Sequence, residues 1–264
     1  MASRSFALLA SLLAVASASP CKPVDPPVFV LPSTGTGTQL PSPDPSLRLL
    51  KIAVGHGLQN YTCASSTAST VATGALAVLY DITNLYPGTP STGVDADAFY
   101  GLPGSVLWGQ DIPLNLQTPS AASPGTATSP NKLAENLYGA IVPDPFPSPV
   151  ANLDLGGLLA GGAPFLGHHY FDANGVPTFD LSSVNLFASL SKTGDIKAPA
   201  TADPGILGSG AVDWLQLTAS SNGLSRGIEL VYRVTTAGGA SEACSAIDGG
   251  EGSVPYTALY WFYG

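Results

Sequence analysis

Gly223-Leu224-Ser225-Arg226-Gly227 matches the Gly-x-Ser-x-Gly pattern of a hydrolase nucleophile. In that chemistry the serine sits on a strained strand-to-helix turn, and an acid and then a histidine follow it along the chain. Here a polar turn precedes Ser225, a strand-like run follows it, and no histidine lies beyond His169. The match therefore reads as a turn. Gly35-Thr36-Gly37 and Gly55-His56-Gly57 each lack the third glycine of a dinucleotide loop, and no βαβ pattern surrounds them. No His-Glu-x-x-His spacing is present. The expectation is a protein without catalytic residues of these kinds, without cofactor and without metal. Glycoside hydrolysis needs only two facing carboxylates. The 18 Asp and Glu residues leave that option open without placing a pair.

The polar stretch with the strongest pull is Gly167-His168-His169-Tyr170-Phe171-Asp172. Neighbours on a strand face opposite sides, so His168 and His169 cannot share one ligand. One points inward and the other outward, and a core histidine bonded to backbone or to an Asp competes with a ligand role. Arg233 is the other conspicuous group. Ile228, Leu230, Tyr232 and Val234 alternate with Glu229, Arg233 and Thr235, which predicts that Arg233 faces away from the core. There it pairs with an acid or stacks on an aromatic such as Trp261, or it points into a pocket for an anionic or sugar ligand. With Trp214 and Tyr256, these residues (His168, His169, Asp172, Trp214, Arg233, Tyr256) form the candidate polar set, ligand-binding or structural.

The elements that must hold them are strands. Leu47–Val54 and Gln59–Cys63 read as two strands around a turn at Gly55-His56-Gly57, and Val71–Asp81 as a third. Residues 86–150 are proline-studded and read as an irregular insertion. Within it a short helix is predicted from Pro130 to Tyr138, with Ser129 as its cap. Phe165–Phe171 and Val176–Phe179 bracket the hairpin signal Asp172-Ala173-Asn174-Gly175. Val212–Leu217 and Ile228–Thr236 alternate, and Tyr256–Tyr263 is apolar on both faces, as in a central covered strand. Short strands between Gly/Pro turns predict an all-β fold, a sandwich or barrel.

The chain starts with Arg4, an apolar run Phe6–Ala16 and the small-x-small site Ala16-Ser17-Ala18. That order predicts a signal peptide over residues 1–18, followed by a Pro/Ser/Thr-rich arm over 19–46 and one β domain over 47–264. The expected location is extracellular or cell wall. The 30 Gly and 24 Pro favour turns over long helices. A net charge of −9 with only nine Lys and Arg leaves no basic patch, so neither nucleic acid nor an anionic membrane is an expected partner. In an oxidising compartment two of Cys21, Cys63 and Cys244 should pair. Cys63–Cys244 is favoured because each sits at a strand end within the body of the domain, although sequence does not fix connectivity. Asn60-Tyr61-Thr62 is the one Asn-x-Ser/Thr sequon, so Asn60 is the candidate glycan acceptor.

Several blocks together carry a resemblance. They are Val54 through Cys63, Ala77–Asp81, Leu166–Asp172 with Phe179, Asp213-Trp214-Leu215, Tyr232 through Gly239 with Cys244, and Val254 through Tyr263. In these the chain resembles the secreted family called domain of unknown function 3455, abundant in filamentous fungi. His168, Asp172, Trp214, Arg233, Gly238, Gly239, Cys63, Cys244 and Tyr256 fall on its motifs, and His56 departs from them. Some members carry the name malate dehydrogenase, which the missing dinucleotide loop, the fold class and the compartment all oppose. The resemblance implies a secreted fungal protein with a wall or host-facing role. The leading expectation is a non-catalytic β-domain protein that binds a cell-wall or host glycan. A polymer hydrolase with an Asp/Glu pair and a structural wall component are the rivals.

Overall fold

The computed structural model describes residues 27–35, 37–247 and 250–264. The expected signal peptide and Cys21 lie outside the described residues. The frame is a closed antiparallel barrel of eight strands. In chain order the elements are β1 (Leu49–Thr62), β2 (Val71–Asp81), α1 (Ala96–Gly109), a two-residue ladder β3 (Gly125–Thr126) with β4 (Ser129–Pro130), β5 (Phe165–Phe171), β6 (Pro177–Leu181), β7 (Leu186–Ile196), β8 (Trp214–Ala219), β9 (Leu230–Gly238) and β10 (Glu251–Tyr263). Around the barrel the order is β1-β10-β9-β8-β7-β6-β5-β2. The all-β expectation holds, and the barrel is the form it takes.

The first two expected strands are one. Residues 49–62 run without a break, and Gly55 and Gly57 are strand residues instead of turn residues. Gly57 pairs with Tyr256 and Ala53 with Tyr260. A Cβ on Gly55 would lie 2.6 Å from the Tyr260 ring. Glycine is required there by aromatic bulk in the neighbouring strand, which local sequence does not reveal.

Strand alternation divides the hydrophobic residues into two clusters. Ala53, Ala75, Ala77, Leu79, Phe179, Leu190, Leu217, Val231, Tyr260 and Phe262 fill the barrel. Ile52, Val54, Val78, Tyr80, Tyr232, Leu259 and Trp261 face outward, yet are buried as well. The segment between β2 and β5 covers them with Tyr86, Phe99, Leu102, Val106 and Tyr138. Strand β10, buried from Gly252 to Tyr263, is the central covered strand expected.

The helix in this segment is not where the sequence placed it. Ser129–Pro130 is in the small ladder and 135–137 is a single 3-10 turn. The Tyr138 hydroxyl accepts from Leu133 N and donates to Asn131 O, so the backbone there is tied by a side chain. Among the described residues the one long helix is α1, at 96–109. It holds Pro103 and three glycines, so propensity argues against it. Burial of Phe99, Leu102, Val106 and Leu107 at helical spacing overrides propensity, and the Asp95 carboxylate caps the start by accepting from Ala98 N at 2.8 Å.

Cys63, just past β1, is joined to Cys244, which lies before β10. The bond closes a span of 181 residues. Replacing both cysteines with Ser should lower stability by about 2–5 kcal/mol, read as a fall in urea midpoint at unchanged slope. An unchanged midpoint would show that the barrel alone fixes that loop.

Candidate functional site

Among the described residues, Arg233 is the charged side chain buried within the barrel. Arg233 on β9 pairs with Leu215 on β8, and both face inward. This corrects the outward orientation that the Ile228–Val234 alternation predicted. Both faces of β9 are buried, one in the barrel and one under the covering layer, so alternation of apolar residues does not tell inside from outside. Arg233 donates Nε and Nη2 to the Asp213 carbonyl at 3.2 and 2.9 Å, and Nη1 to Gln59 Oε1 at 3.1 Å. No carboxylate pairs with it among the described residues; the Asp213 side chain is taken by Lys197. Trp261 faces the other way, in the outer layer.

Around the guanidinium sit Tyr256 and Tyr260, whose hydroxyls are 2.9 Å apart. Burial raises the pKa of both, and the Arg233 charge opposes it. His169 also points inward. It stacks on Phe179 at 4.1 Å, and its Nδ1 donates to the Thr178 carbonyl at 2.9 Å. Burial pulls its pKa down to about 4. His168 faces outward, stacked on Phe146 at 4.0 Å. The two histidines thus split across the sheet as expected. Asp172 is a turn residue: its carboxylate accepts from Asn174 N and Val176 N and shapes the expected hairpin. Ser225 is also a loop residue, exchanging hydrogen bonds with the Ser189 backbone. Asn60 lies in β1, with its Oδ1 accepting from Ser253 Oγ at 2.9 Å.

Trp214 belongs to a different place. It opens β8 and lines a cleft of about 500 Å³ between the barrel's outer face, α1 and the arm. Its neighbours in that wall are Tyr100 and Pro103 of α1, Pro32 of the arm, Asp203 and Thr235. The register of β9 against β10 slips between Thr257 and Leu259. At this bulge Thr235 adopts φ +49°, a left-handed conformation that a β-branched residue rarely takes. Beyond it, Gly238 (φ +63°) packs backbone to backbone on Gly205; a Cβ on Gly205 would come within 2.5 Å of the Gly238 Cα. Asp203 is held there by Trp108 Nε1 at 2.8 Å and by Gly205 N. Two buried polar atoms of the lining residues have no partner, Trp214 Nε1 and Thr235 Oγ1.

Residues 43–264 match the family described as protein of unknown function (DUF3455). The chain belongs to this family. No curated protein and no solved structure matches it. The structure therefore brings His169, Arg233 and Tyr256 together inside the barrel and leaves Trp214 in an outer cleft, with His168 and Asp172 apart from both. Sequence reasoning missed Gln59, Tyr260, Thr235 and Asp203. The one available signal was Thr235-Thr236-Ala237-Gly238-Gly239, where paired glycines after a strand mark a bulge.

Two outcomes follow. Arg233→Lys should be destabilised by about 1–3 kcal/mol, because one ammonium cannot span Gln59 and Asp213. Arg233→Met should lose less, since it removes the charge along with its bonds. Urea melts of the two variants check this, and the reverse order refutes it. The second outcome concerns pH. His56 and His169 are both pulled down by burial to about 4 from 6.5. Below about 6.5 the unfolded chain takes up protons that the folded protein refuses. Stability should therefore be full above that pH and fall steadily as pH drops towards 4. His169→Gln should flatten this fall in a melting series.

Proposed function

We propose that this is an exported, non-catalytic barrel protein that binds a cell-wall or host glycan in the Trp214–Thr235 cleft. The observation that carries the reading is a mostly apolar cleft whose wall joins Trp214, the Asp203 carboxylate and Thr235 in a strained left-handed conformation. Buried polar groups are nearly always bonded, and an orphan costs about 1–3 kcal/mol. Trp214 Nε1 is a donor only, Thr235 Oγ1 donates or accepts, and the Asp203 carboxylate accepts. Pro32, Pro103, Pro199 and Ala237 supply apolar surface between them. A sugar offers that mixture, with hydroxyls for the polar groups and C–H faces for the rest.

The backbone strain at Thr235 supports the same place, since costly conformations gather at binding sites. Export is supported by the leader-like residues 1–18 and by the Cys63–Cys244 bond. Asn60 is the proposed glycan acceptor of the exported protein.

Calorimetric titration with soluble β-glucan and chitin oligosaccharides tests this reading. Trp214→Phe keeps the ring and removes the donor, so binding should weaken at least tenfold without a lower melting temperature. Thr235→Gly should weaken binding while raising stability by up to about 1 kcal/mol, through relief of the left-handed φ. Wild-type protein that binds none of these sugars, or equal binding by all three proteins, refutes the assignment.

A further inference from the structure

The arm from residue 27 to 33 crosses the outer face of the barrel without joining any strand. Its side chains alternate as it goes. Phe29 and Leu31 pack against the outer core, while Val28 and Val30 are 82% and 60% exposed. Its backbone is held by tyrosine hydroxyls. The Tyr86 hydroxyl accepts from Val30 N at 3.0 Å and donates to Val28 O at 3.3 Å, and the Tyr100 hydroxyl donates to Val30 O at 3.5 Å. The Phe29 ring lies 4.8 Å from Tyr86, which stands edge-on to Phe99 and Trp261.

This is how receptors recognise extended peptides. Backbone groups supply the affinity in any sequence, and pockets take every second side chain. Prolines at 27 and 32 bracket the segment, and Pro27-Val28-Phe29-Val30-Leu31-Pro32-Ser33 carries no charge. Proline pre-sets the extended conformation, which lowers the entropy lost on docking. The family match starts at residue 43, so the receptor surface lies within the matched domain and its occupant lies outside it. Between the two, Gly35 and Gly37 take φ +87° and +93° in an exposed turn that the Gln39 side chain bonds at Thr34 and Gly37.

We propose that the groove formed by Tyr86, Tyr100 and the rings beneath them is a docking site for a partner protein's extended segment. That segment is uncharged, has apolar residues at alternate positions and is flanked by prolines. Arm residues 27–33 occupy the groove in cis and compete with the partner. Because Pro32 and Ser33 also form part of the Trp214 cleft wall, displacing the arm opens that cleft on one side.

The test uses the full chain and a fluorescent peptide with the sequence of residues 27–33. In a Phe29→Ser/Leu31→Ser chain the cis segment loses both inward side chains, so the variant should bind the peptide at least tenfold more tightly than wild type in an anisotropy titration. A Val30→Pro chain, which removes the amide that donates to Tyr86, should behave the same way if the double variant folds poorly. Adding Tyr86→Phe to either should abolish the gain, as should a peptide carrying Ser in place of Phe29. No binding by a folded arm variant overturns the proposal. So does equal binding by wild type, which would place the peptide elsewhere. A wild-type dimer that forms with rising concentration and captures no peptide assigns the groove to a second copy's arm, and also overturns it.

Discussion

The fit of large rings against missing side chains inside the barrel sets the rest of the structure. Eight strands close around a space that only side chains can fill. Here Tyr256, Tyr260, Phe262 and Phe179 fill it, and Gly55, Gly57, Ala53, Ala75 and Ala77 make the room. With β1 and β2 so nearly bare on the inside, their neighbour β10 supplies much of the bulk. Packing at interior density penalises a change of even one methylene, so the glycines and the rings are coupled. The same strands carry Ile52, Val54, Leu259 and Trp261 on the outside. They cannot face water, and the 82–164 segment and the arm exist in this fold as their cover.

Arg233 is the exception within that apolar filling. A buried cation without a carboxylate is expensive unless its donors are satisfied. The Asp213 carbonyl, two bonds strong, and Gln59 do this, while the tyrosine pair adds hydroxyl dipoles. The guanidinium thereby ties β9 to the loop before β8 and, across β10, to β1. Its role follows from these partners: it fixes register among strands whose interior faces are otherwise smooth. His169 contributes in the same sense, its ring lying on Phe179 while its proton is spent on a backbone carbonyl. Both groups are buried.

The all-β class, the hairpin at Asp172 and the covered strand at 256–263 were legible because each rests on local pattern, and the Cys63–Cys244 bond was favoured because each cysteine sits at a strand end. The continuous strand 49–62 was not, since the reason for Gly55 lies about 200 residues away at Tyr260 of β10 and that for Gly57 in the backbone of β2 at Leu76. Helix α1 was illegible for a related reason. A sequence with Pro103 and three glycines becomes helical only where Phe99, Leu102 and Val106 find the barrel's outer face. The orientation of Arg233 failed on an assumption, that one face of a strand is wet. Where both faces are covered, period-two alternation carries no sign. The cleft was invisible for the most basic reason: its walls come from the arm, α1, the 199–203 turn and two strands, which only the closed fold assembles.

That cleft is where strain and unpartnered polar atoms coincide. Unpartnered buried atoms also occur elsewhere, at His56, Thr89, His168 and Trp261, and glycine stands at most positions with left-handed φ. At Thr235 the chain places a β-branched residue in that conformation, leaves its hydroxyl without a partner and sets a donor-only indole nitrogen in the same wall. A glycine and a phenylalanine would remove the strain and both orphans while keeping the apolar volume of the ring. The combined cost of what is present is several kcal/mol, from about 1–3 for the strain and about 1–3 for each orphan. Total stabilities of domains are about 5–15 kcal/mol, so a cost of that size at one spot is not background. The bulge between Thr257 and Leu259 is what forces this conformation on Thr235, so the strain traces to the β9–β10 register and not to the local sequence.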